Sequence, residues 1–328
     1  MAALDWDTGT GMMMDMSASE LHAQSRLSGI WASVHTPMTG DLDIDEAGLA
    51  ANVEYAIEKL GIDGIQVCCR HGEGTALDKA ERKRVAEIAA EVCDGRAGLT
   101  VWCADQNTST VLDLAQHAQG VGADYVSISS PHLPLVANRC DALSAYYQHF
   151  DSQLDIGMIV WSHPEAGYVI SPELCLELAE LKNVVACEYA VHRPMYSALT
   201  KLSNGRLTVM NSSEEDWLDN IIELGWDCYG CSPEPVLLQT PQHTRMAEYT
   251  QLARQGAVEE ARRVRDSMEP ARRALWSSRP AAKPLAQQKY WLELMGLAGG
   301  PVRRPMLNLD DDERSRIRTA FDASGLAA

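Results

Sequence analysis

Polar and titratable residues recur in this chain directly after short apolar runs, a placement typical of residues that bind or catalyse. They are His35, Thr36, Arg70, His71, Glu73, Cys103, Asp105, Ser130, His132, Trp161, His163, Glu188, Tyr189, His192, Asn211 and Ser212. Carboxyl and imidazole groups together can transfer protons near neutral pH, and an arginine can hold a carboxylate through two parallel hydrogen bonds. These residue types predict acid/base chemistry on a carboxylate or carbonyl compound.

A repeated strand-then-helix pattern would position these residues. Apolar, β-branched runs predict strands at 29–36, 64–69, 99–104, 125–130, 156–162, 184–189, 207–211 and 228–232. Stretches with helical spacing lie between them, at 46–60, 79–93, 109–120, 142–154, 172–181, 194–202 and 214–224. Eight such units favour a parallel sheet closed into a (β/α)8 TIM barrel, whose active sites lie at the C-terminal ends of the strands. An open doubly wound sheet is disfavoured because no Gly-x-Gly-x-x-Gly follows the first strand.

The pattern also predicts three regions along the chain. Residues 1–27 lack periodicity and are interpreted as a loose N-terminal arm, and residues 28–239 form the barrel. Residues 240–328 read as helices that pack on the barrel, with helices predicted at 244–255, 258–276, 284–297 and 313–321. The last of these follows an acidic run, which suits the dipole of a helix N-terminus.

Composition narrows the class of protein. Of 328 residues 46% are hydrophobic, enough for a large core, and 46 acidic against 28 basic residues give a net charge of −18. Such a surface repels nucleic acid and anionic lipid, so we expect neither as a partner. Without a recognisable signal peptide, nine cysteines indicate reduced thiols and a cytoplasmic protein. The Cys228-x-x-Cys231 pair lies in a predicted strand and is interpreted as buried thiols rather than a redox or zinc site.

Short motifs follow one another in a distinctive order: Gly29-Ile30, Thr36-Pro37-Met38, Asp45, Gly61-Ile62-Asp63-Gly64-Ile65, Gly72-Glu73, Leu77, Glu81-Arg82, Gly122-Ala123-Asp124, Pro131, Pro164, Asn183-Val184-Val185, Val302-Arg303 and Pro305. From about Leu27 to Leu326 this order resembles the dihydrodipicolinate synthase/N-acetylneuraminate lyase family. Within it, Pro164-Glu165-Ala166 and Tyr189 are most similar to the hydratase-aldolase branch. The resemblance implies a TIM barrel with C-terminal helices, lyase activity on a small molecule, and a homotetramer or homodimer.

The resemblance breaks at the positions that carry the family's chemistry. That chemistry implies a lysine at the end of strand six, which forms a Schiff base with a 2-oxoacid, and counting from Asn183 places Glu188 there. The family's strand-five tyrosine corresponds to Trp161, and its paired threonines to Arg70 and His71. The seven lysines lie in predicted helices or at the turn before strand six, so we expect no iminium chemistry.

Glu188 becomes the central candidate. As a catalytic group it would act as a general acid or base with His163 or His71, while Arg70 and Thr36 hold the carboxylate or carbonyl. Substrate contacts are further predicted from Gly72, Glu73, Trp161, Tyr189 and Asn211. The structural alternatives are that Glu188 pairs with Arg70, that Arg70 serves Glu188 or Glu73, that the histidines only form the pocket wall, and that Trp161 only packs.

The leading hypothesis is a lyase that breaks or forms C–C or C–O bonds without a Schiff base or cofactor; a cyclisation or isomerisation fits equally well. Its substrate would be a carboxylate or an aromatic carbonyl compound. One alternative is a non-catalytic relative that binds a small carboxylate. Another is a metal-dependent lyase or hydrolase with His71, His163 and Glu188 as ligands, which is disfavoured because no His-x-His or His-Glu-x-x-His spacing supports it.

Overall fold

The computed structural model describes residues 27–133 and 138–327, so the predicted arm lies, apart from Leu27, outside the described residues. Eight strands are present there: β1 Gly29–Ser33, β2 Gly64–Val67, β3 Gly98–Cys103, β4 Tyr125–Ser129, β5 Gly157–Ser162, β6 Val184–Tyr189, β7 Thr208–Met210 and β8 Cys228–Ser232. All eight were predicted, with ends that differ by at most three residues. The largest difference is in β1, which ends at Ser33 rather than residue 36.

The strands form one parallel sheet in the order β7-β6-β5-β4-β3-β2-β1-β8. The register aligns Trp161 of β5 with Glu188 of β6, and Glu188 with Met210 of β7. Between β7 and β8, the Gly230 N–H donates to the Asn211 carbonyl at 3.4 Å and brings the sheet close to closure. The prediction of a (β/α)8 barrel is confirmed.

Seven helices follow the first seven strands: α1 Glu46–Leu60, α2 Lys79–Cys93, α3 Thr108–Gly120, α4 Arg139–Asp151, α5 Pro172–Leu178, α6 Arg193–Ser203 and α7 Glu214–Leu224. Local sequence sets their ends. The side chain of Asp45 accepts a hydrogen bond from the Gly48 N–H before α1, and Asp78 forms a capping box with Glu81 before α2. Gly61 ends α1 at a φ of 65°, a conformation that glycine adopts without strain.

The C-terminal region contains α8 Glu234–Leu237, α9 Arg245–Arg254, α10 Val258–Asp266, α11 Glu269–Ser277, α12 Pro284–Leu294 and α13 Asp311–Asp322. The prediction of one helix over 258–276 was wrong, because the chain breaks between Asp266 and Glu269. Pro270 explains the break: it has no N–H to donate, and its ring would clash with Asp266 in a continuous helix. Within the described part of the chain, no helix is both long and apolar enough to span a bilayer.

An apolar plug fills the barrel where its strands begin. Trp31 packs edge-on against Tyr125 with ring centroids 5.5 Å apart, and both are buried with Ile159 and Met210 in a cluster inside the sheet. A larger core lies between the sheet and the helices. The plug leaves polar side chains to collect at the opposite end of the barrel, where the strands end.

A buried ion pair ties the C-terminal helices to this polar end. Glu73 lies in the turn after β2, and its Oε1 accepts a hydrogen bond from Lys289 Nζ of α12 at 2.6 Å. Glu73 Oε2 accepts from the Arg303 N–H at 2.9 Å, and Lys289 also donates to the Pro301 carbonyl at 2.7 Å. Gln288, the neighbour of Lys289, hydrogen-bonds His35 at 3.0 Å.

We expect Lys289→Met to reduce the free energy of unfolding by about 3–5 kcal/mol, because it leaves the buried Glu73 carboxylate without its cation. Urea unfolding monitored by circular dichroism measures the change. The control is Lys79→Met, which removes an exposed partner of Asp113 and should cost less than about 1 kcal/mol. Equal losses for the two variants would contradict a special role for the buried pair.

Candidate active site

Three cavities meet where the strands end. The largest, the outer cavity, has a volume of about 750 Å³ and lies between the strand ends and the C-terminal helices. A side cavity of about 430 Å³ lies by β3 and β4, and an inner cavity of about 20 Å³ lies inside the barrel. Arg70 lines all three, and Glu165 lines the outer and side cavities. The residues of the inner cavity are Gln66, Cys69, Arg70, His71, Trp102, Trp161, His163, Glu188, Ser212 and Cys231.

Glu188 lies on the wall of the inner cavity. Its side chain points into the barrel because side chains alternate along β6, so that its neighbours Cys187 and Tyr189 face the helices. The residue is 4% exposed, and its Oε2 has no hydrogen-bond partner among the described residues. A buried carboxyl with an unused oxygen is uncommon in folded proteins and indicates a place for a ligand.

Burial raises the pKa of the Glu188 carboxyl to about 7. The positive charge of Arg70 opposes this shift, as do contacts with the Cys231 backbone, the Gln66 amide and the Trp161 indole, but burial is the larger effect. A group with this pKa is present in both its charged and neutral forms near neutral pH. It can therefore accept a proton and return it in one turnover.

The two predicted histidines line the inner cavity with Glu188. Burial holds the pKa of His71 well below its usual value, and the charges of His35 and Arg70 lower it further. Burial, followed by Arg70, also lowers the pKa of His163. His163 Nδ1 accepts a hydrogen bond from the Glu165 N–H at 3.1 Å. Both rings are therefore mainly neutral at pH 7, when each can donate one N–H and accept one proton.

Arg70 is paired with Glu165, which belongs to a short 3-10 turn after β5. Glu188 and Glu73 were predicted as possible partners of Arg70, and neither forms an ion pair with it in the described residues. The Arg70 side chain is 37% exposed, so an ion pair there is weak and can be exchanged for another anion. Arg70 thus lies between solvent, the outer cavity and Glu188.

Trp161 has close ring neighbours in the cavity wall. The His163 ring is stacked on it, with centroids 4.9 Å apart and planes at 11°, and the Arg70 guanidinium lies 5.9 Å from its centroid. Trp102 meets it edge-on at 6.0 Å. Trp161 is only 8% exposed, so most of its surface is used in packing, and its contact with a substrate stays a prediction.

The other predicted substrate contacts are already engaged within the protein, and of these only Asn211 lines one of the three cavities. Thr36 donates its hydroxyl proton to the Gly72 carbonyl at 2.7 Å, which occupies both groups, and Glu73 is held by Lys289. Tyr189 faces the helices and donates to the Ile170 carbonyl. Asn211 lines the outer cavity, but its side chain is already hydrogen-bonded. Its Nδ2 donates to the Tyr189 carbonyl, and its Oδ1 accepts from the Ser213 N–H.

Several residues of the site were missed in the sequence. Gln66 is a polar side chain in the middle of a buried strand, a signal that alternation along β2 could have revealed. Glu165 was noted only as part of a motif. Glu234 lies two residues after the end of β8, the one strand for which no candidate site residue was predicted. Cys228 and Cys231 are buried free thiols, as expected.

The described residues contain no group of three or more His, Cys, Asp or Glu side chains placed to share a metal ion. His71, His163 and Glu188 line one small cavity but are not arranged as a ligand set.

Comparisons with known proteins agree with the architecture. A model of the dihydrodipicolinate synthetase family matches residues 26–324. The 4-hydroxy-tetrahydrodipicolinate synthase of Methanothrix thermoacetophila is 25% identical over 292 residues, covering 88% of this chain and 94% of the relative. The enzyme of the same name from Methanoculleus marisnigri is 28% identical, covering 88% and 97%.

A solved structure, a catalytic lysine mutant of sialic acid aldolase from Ruminococcus gnavus, superimposes with a TM-score of 0.82. It is 18% identical and covers 92% of this chain and 97% of its own. At this identity the likeness concerns the fold alone, and residue roles must be argued from this chain's own side chains.

The shifted pKa of Glu188 predicts a pH-dependent cost in stability. The carboxyl ionises near pH 4.5 when the chain is unfolded but only near pH 7 when it is folded, so folding becomes less favourable as pH rises between these values. Glu188→Gln removes this cost. The free energy of unfolding of the variant, relative to that of the wild type, should therefore rise by on the order of 3 kcal/mol between pH 5 and pH 9. Urea unfolding at these two pH values measures the change. Glu91→Gln, at an exposed position on α2, serves as the control; an equal gain there would contradict the assignment.

Proposed function

The chain belongs to the dihydrodipicolinate synthetase family, and from that premise we propose that it is a lyase that works by proton transfer through Glu188, without a Schiff base. Members of this family are lyases that act on small molecules. The substrate is a small compound that carries a carboxylate next to a carbonyl. The observation that carries the proposal is a buried carboxyl, with a pKa of about 7, at the end of β6 where the resemblance places the family's lysine.

The positions of the lysines support a mechanism without an imine. Lys289 is the buried lysine of the described chain, and its ammonium bonds Glu73 and the Pro301 carbonyl. It lines none of the three cavities at the strand ends. The other six lysines are exposed or half-buried on helices, at their ends, or before β6. A Schiff base needs a desolvated amine that faces the substrate, and a carboxylate cannot form one.

In the proposed mechanism Arg70 releases Glu165 and binds the carboxylate of the substrate in its place. The Glu188 carboxylate then accepts a proton from the carbon next to the carbonyl. His71, neutral because it is buried, donates its ring N–H to the enolate oxygen that develops. Losing the electron sink of an imine demands either a carbon more acidic than the methyl group of pyruvate, as in phenylpyruvate, or a leaving group whose departure gives a conjugated product, as in 4-hydroxy-2-oxo-4-phenylbutanoate. Aryl-substituted 2-oxoacids are therefore a suitable substrate class.

Reductive trapping tests the absence of an imine. Sodium borohydride added to the protein with pyruvate, or with 4-hydroxy-2-oxo-4-phenylbutanoate, should leave the intact mass unchanged, because no amine faces the cavity. Mass spectrometry of the whole chain provides the measurement. A covalent adduct would overturn the mechanism, and peptide mapping would then identify the lysine.

Turnover should depend on Glu188 and on pH. Glu188→Gln is expected to lower turnover of 4-hydroxy-2-oxo-4-phenylbutanoate by about 10²-fold or more, because the amide cannot accept a proton. For the wild type, kcat/KM should rise as pH rises toward about 7, since the Glu188 carboxylate is the form that accepts the proton. Glu91→Gln is the control. An unchanged rate for Glu188→Gln would reduce Glu188 to a structural residue.

The other two hypotheses give different results in the same assays. A metal-dependent enzyme would contain bound metal by elemental analysis and lose activity with a chelator. A non-catalytic relative would bind pyruvate or phenylpyruvate in a calorimeter but would not turn over 4-hydroxy-2-oxo-4-phenylbutanoate. No specific observation in the structure favours either alternative over proton transfer by Glu188.

A further inference from the structure

A second buried carboxyl lies at the end of β8. Glu234 begins the short helix α8, two residues after β8 ends at Ser232, and it is 8% exposed. Its Oε2 has no hydrogen-bond partner among the described residues, and the residue lines the outer cavity. Arg70, His71 and Ser212 line both this cavity and the inner cavity of Glu188. The two carboxyls thus border adjoining spaces that share one wall.

Two neighbouring carboxylates in the outer cavity are already paired. Glu214 is buried and held by Arg272 through hydrogen bonds of 2.8 and 3.0 Å, and Glu165 is held by Arg70. Glu234 forms no ion pair within the described chain. Burial and the nearby charge of Glu214 raise its pKa, although the Ser232 hydroxyl and Arg279 act in the opposite direction. Glu234 is therefore a buried carboxyl with a raised pKa and an unpartnered oxygen, in a residue that borders the outer cavity.

The proposed chemistry needs such a group. Removing a proton from a carbon is half of a dehydration; the departing hydroxyl must also receive a proton. Trp161, at the position of the family's tyrosine, is a packed indole that does not exchange protons near neutral pH. A pair of carboxyls in different surroundings is a recurring solution to this requirement.

We propose that Glu234 is the acid that protonates the leaving oxygen of the substrate, while Glu188 takes the proton from carbon; this inference rests on the proposed function. With a 4-hydroxy-2-oxoacid, Glu188 removes a C3 proton, the C4–O bond breaks as the C3–C4 double bond forms, and the Glu234 proton leaves with the hydroxyl as water. Solvent then reprotonates Glu234 and deprotonates Glu188. In the reverse direction, the same groups add water.

Two probes separate the two proton transfers. Phenylpyruvate has an acidic C3 but no hydroxyl to lose, so its C3 hydrogen–deuterium exchange in D2O, followed by proton NMR above the buffer rate, reports Glu188 alone. Dehydration of 4-hydroxy-2-oxo-4-phenylbutanoate, followed by absorbance of the unsaturated product, requires both groups. We expect Glu234→Gln to keep exchange within about 3-fold of the wild type and to lose at least about 10²-fold in dehydration. Glu188→Gln should lose both reactions.

Matched variants control for the loss of a charge and for the loss of folding. Glu248→Gln, at an exposed position on α9, is the control for charge removal, and unfolding midpoints confirm that each variant is folded. If Glu234→Gln does not fold, Glu234→Asp takes its place. The shorter side chain keeps a carboxyl but holds it farther from the substrate, so dehydration should fall while exchange persists.

Each other outcome overturns the assignment. Wild-type dehydration by Glu234→Gln would show that the acid lies elsewhere. Equal losses of exchange and dehydration would make Glu234 a structural residue. If the wild-type protein neither exchanges phenylpyruvate nor dehydrates the hydroxyacid, the proposed function itself fails, and this inference fails with it.

Discussion

The cost of burying a carboxyl at the end of β6 is the constraint on which the proposed chemistry of this site depends. Glu188 is removed from water, and Arg70, the cation that most stabilises its charge, is paired with Glu165. A fully paired Glu188 would have a low pKa and would be a poor proton acceptor; an isolated one would remain protonated at neutral pH. The intermediate arrangement places the pKa where a proton can be both taken and released, at some cost to folding stability.

The rest of the fold maintains this arrangement. The apolar plug around Trp31 and Tyr125 closes the barrel below the inner cavity. On the other side, the pair between Glu73 and Lys289 holds α12 against the turn after β2. This pair occupies the one buried ammonium of the described chain and fixes the helices that form a wall of the outer cavity. The same contact thus stabilises the fold and keeps this amine outside the lining of the three cavities.

Features that depend on residues close together in the sequence were predicted best. The strand bounds Val184–Tyr189 and Cys228–Ser232 and the helix bounds of α1, α2 and α7 were predicted to the residue, because capping groups and apolar periodicity lie within a few positions of each end. The place of Glu188 at the end of β6 followed from the family resemblance, by counting from Asn183. The break before Pro270 was local too, but the strong apolar periodicity on both sides obscured it.

The sequence by itself therefore determined the barrel, the ring of titratable residues at its strand ends and the presence of a carboxyl at position 188. Only the tertiary structure decided which groups meet: Arg70 with Glu165, Glu73 with Lys289 across 216 positions, and His163 with Trp161. It also decided that Tyr189 faces the helices and that Glu234 faces a cavity. Ion pairs and desolvation depend on distances between elements far apart in the chain, and no local pattern specifies those distances.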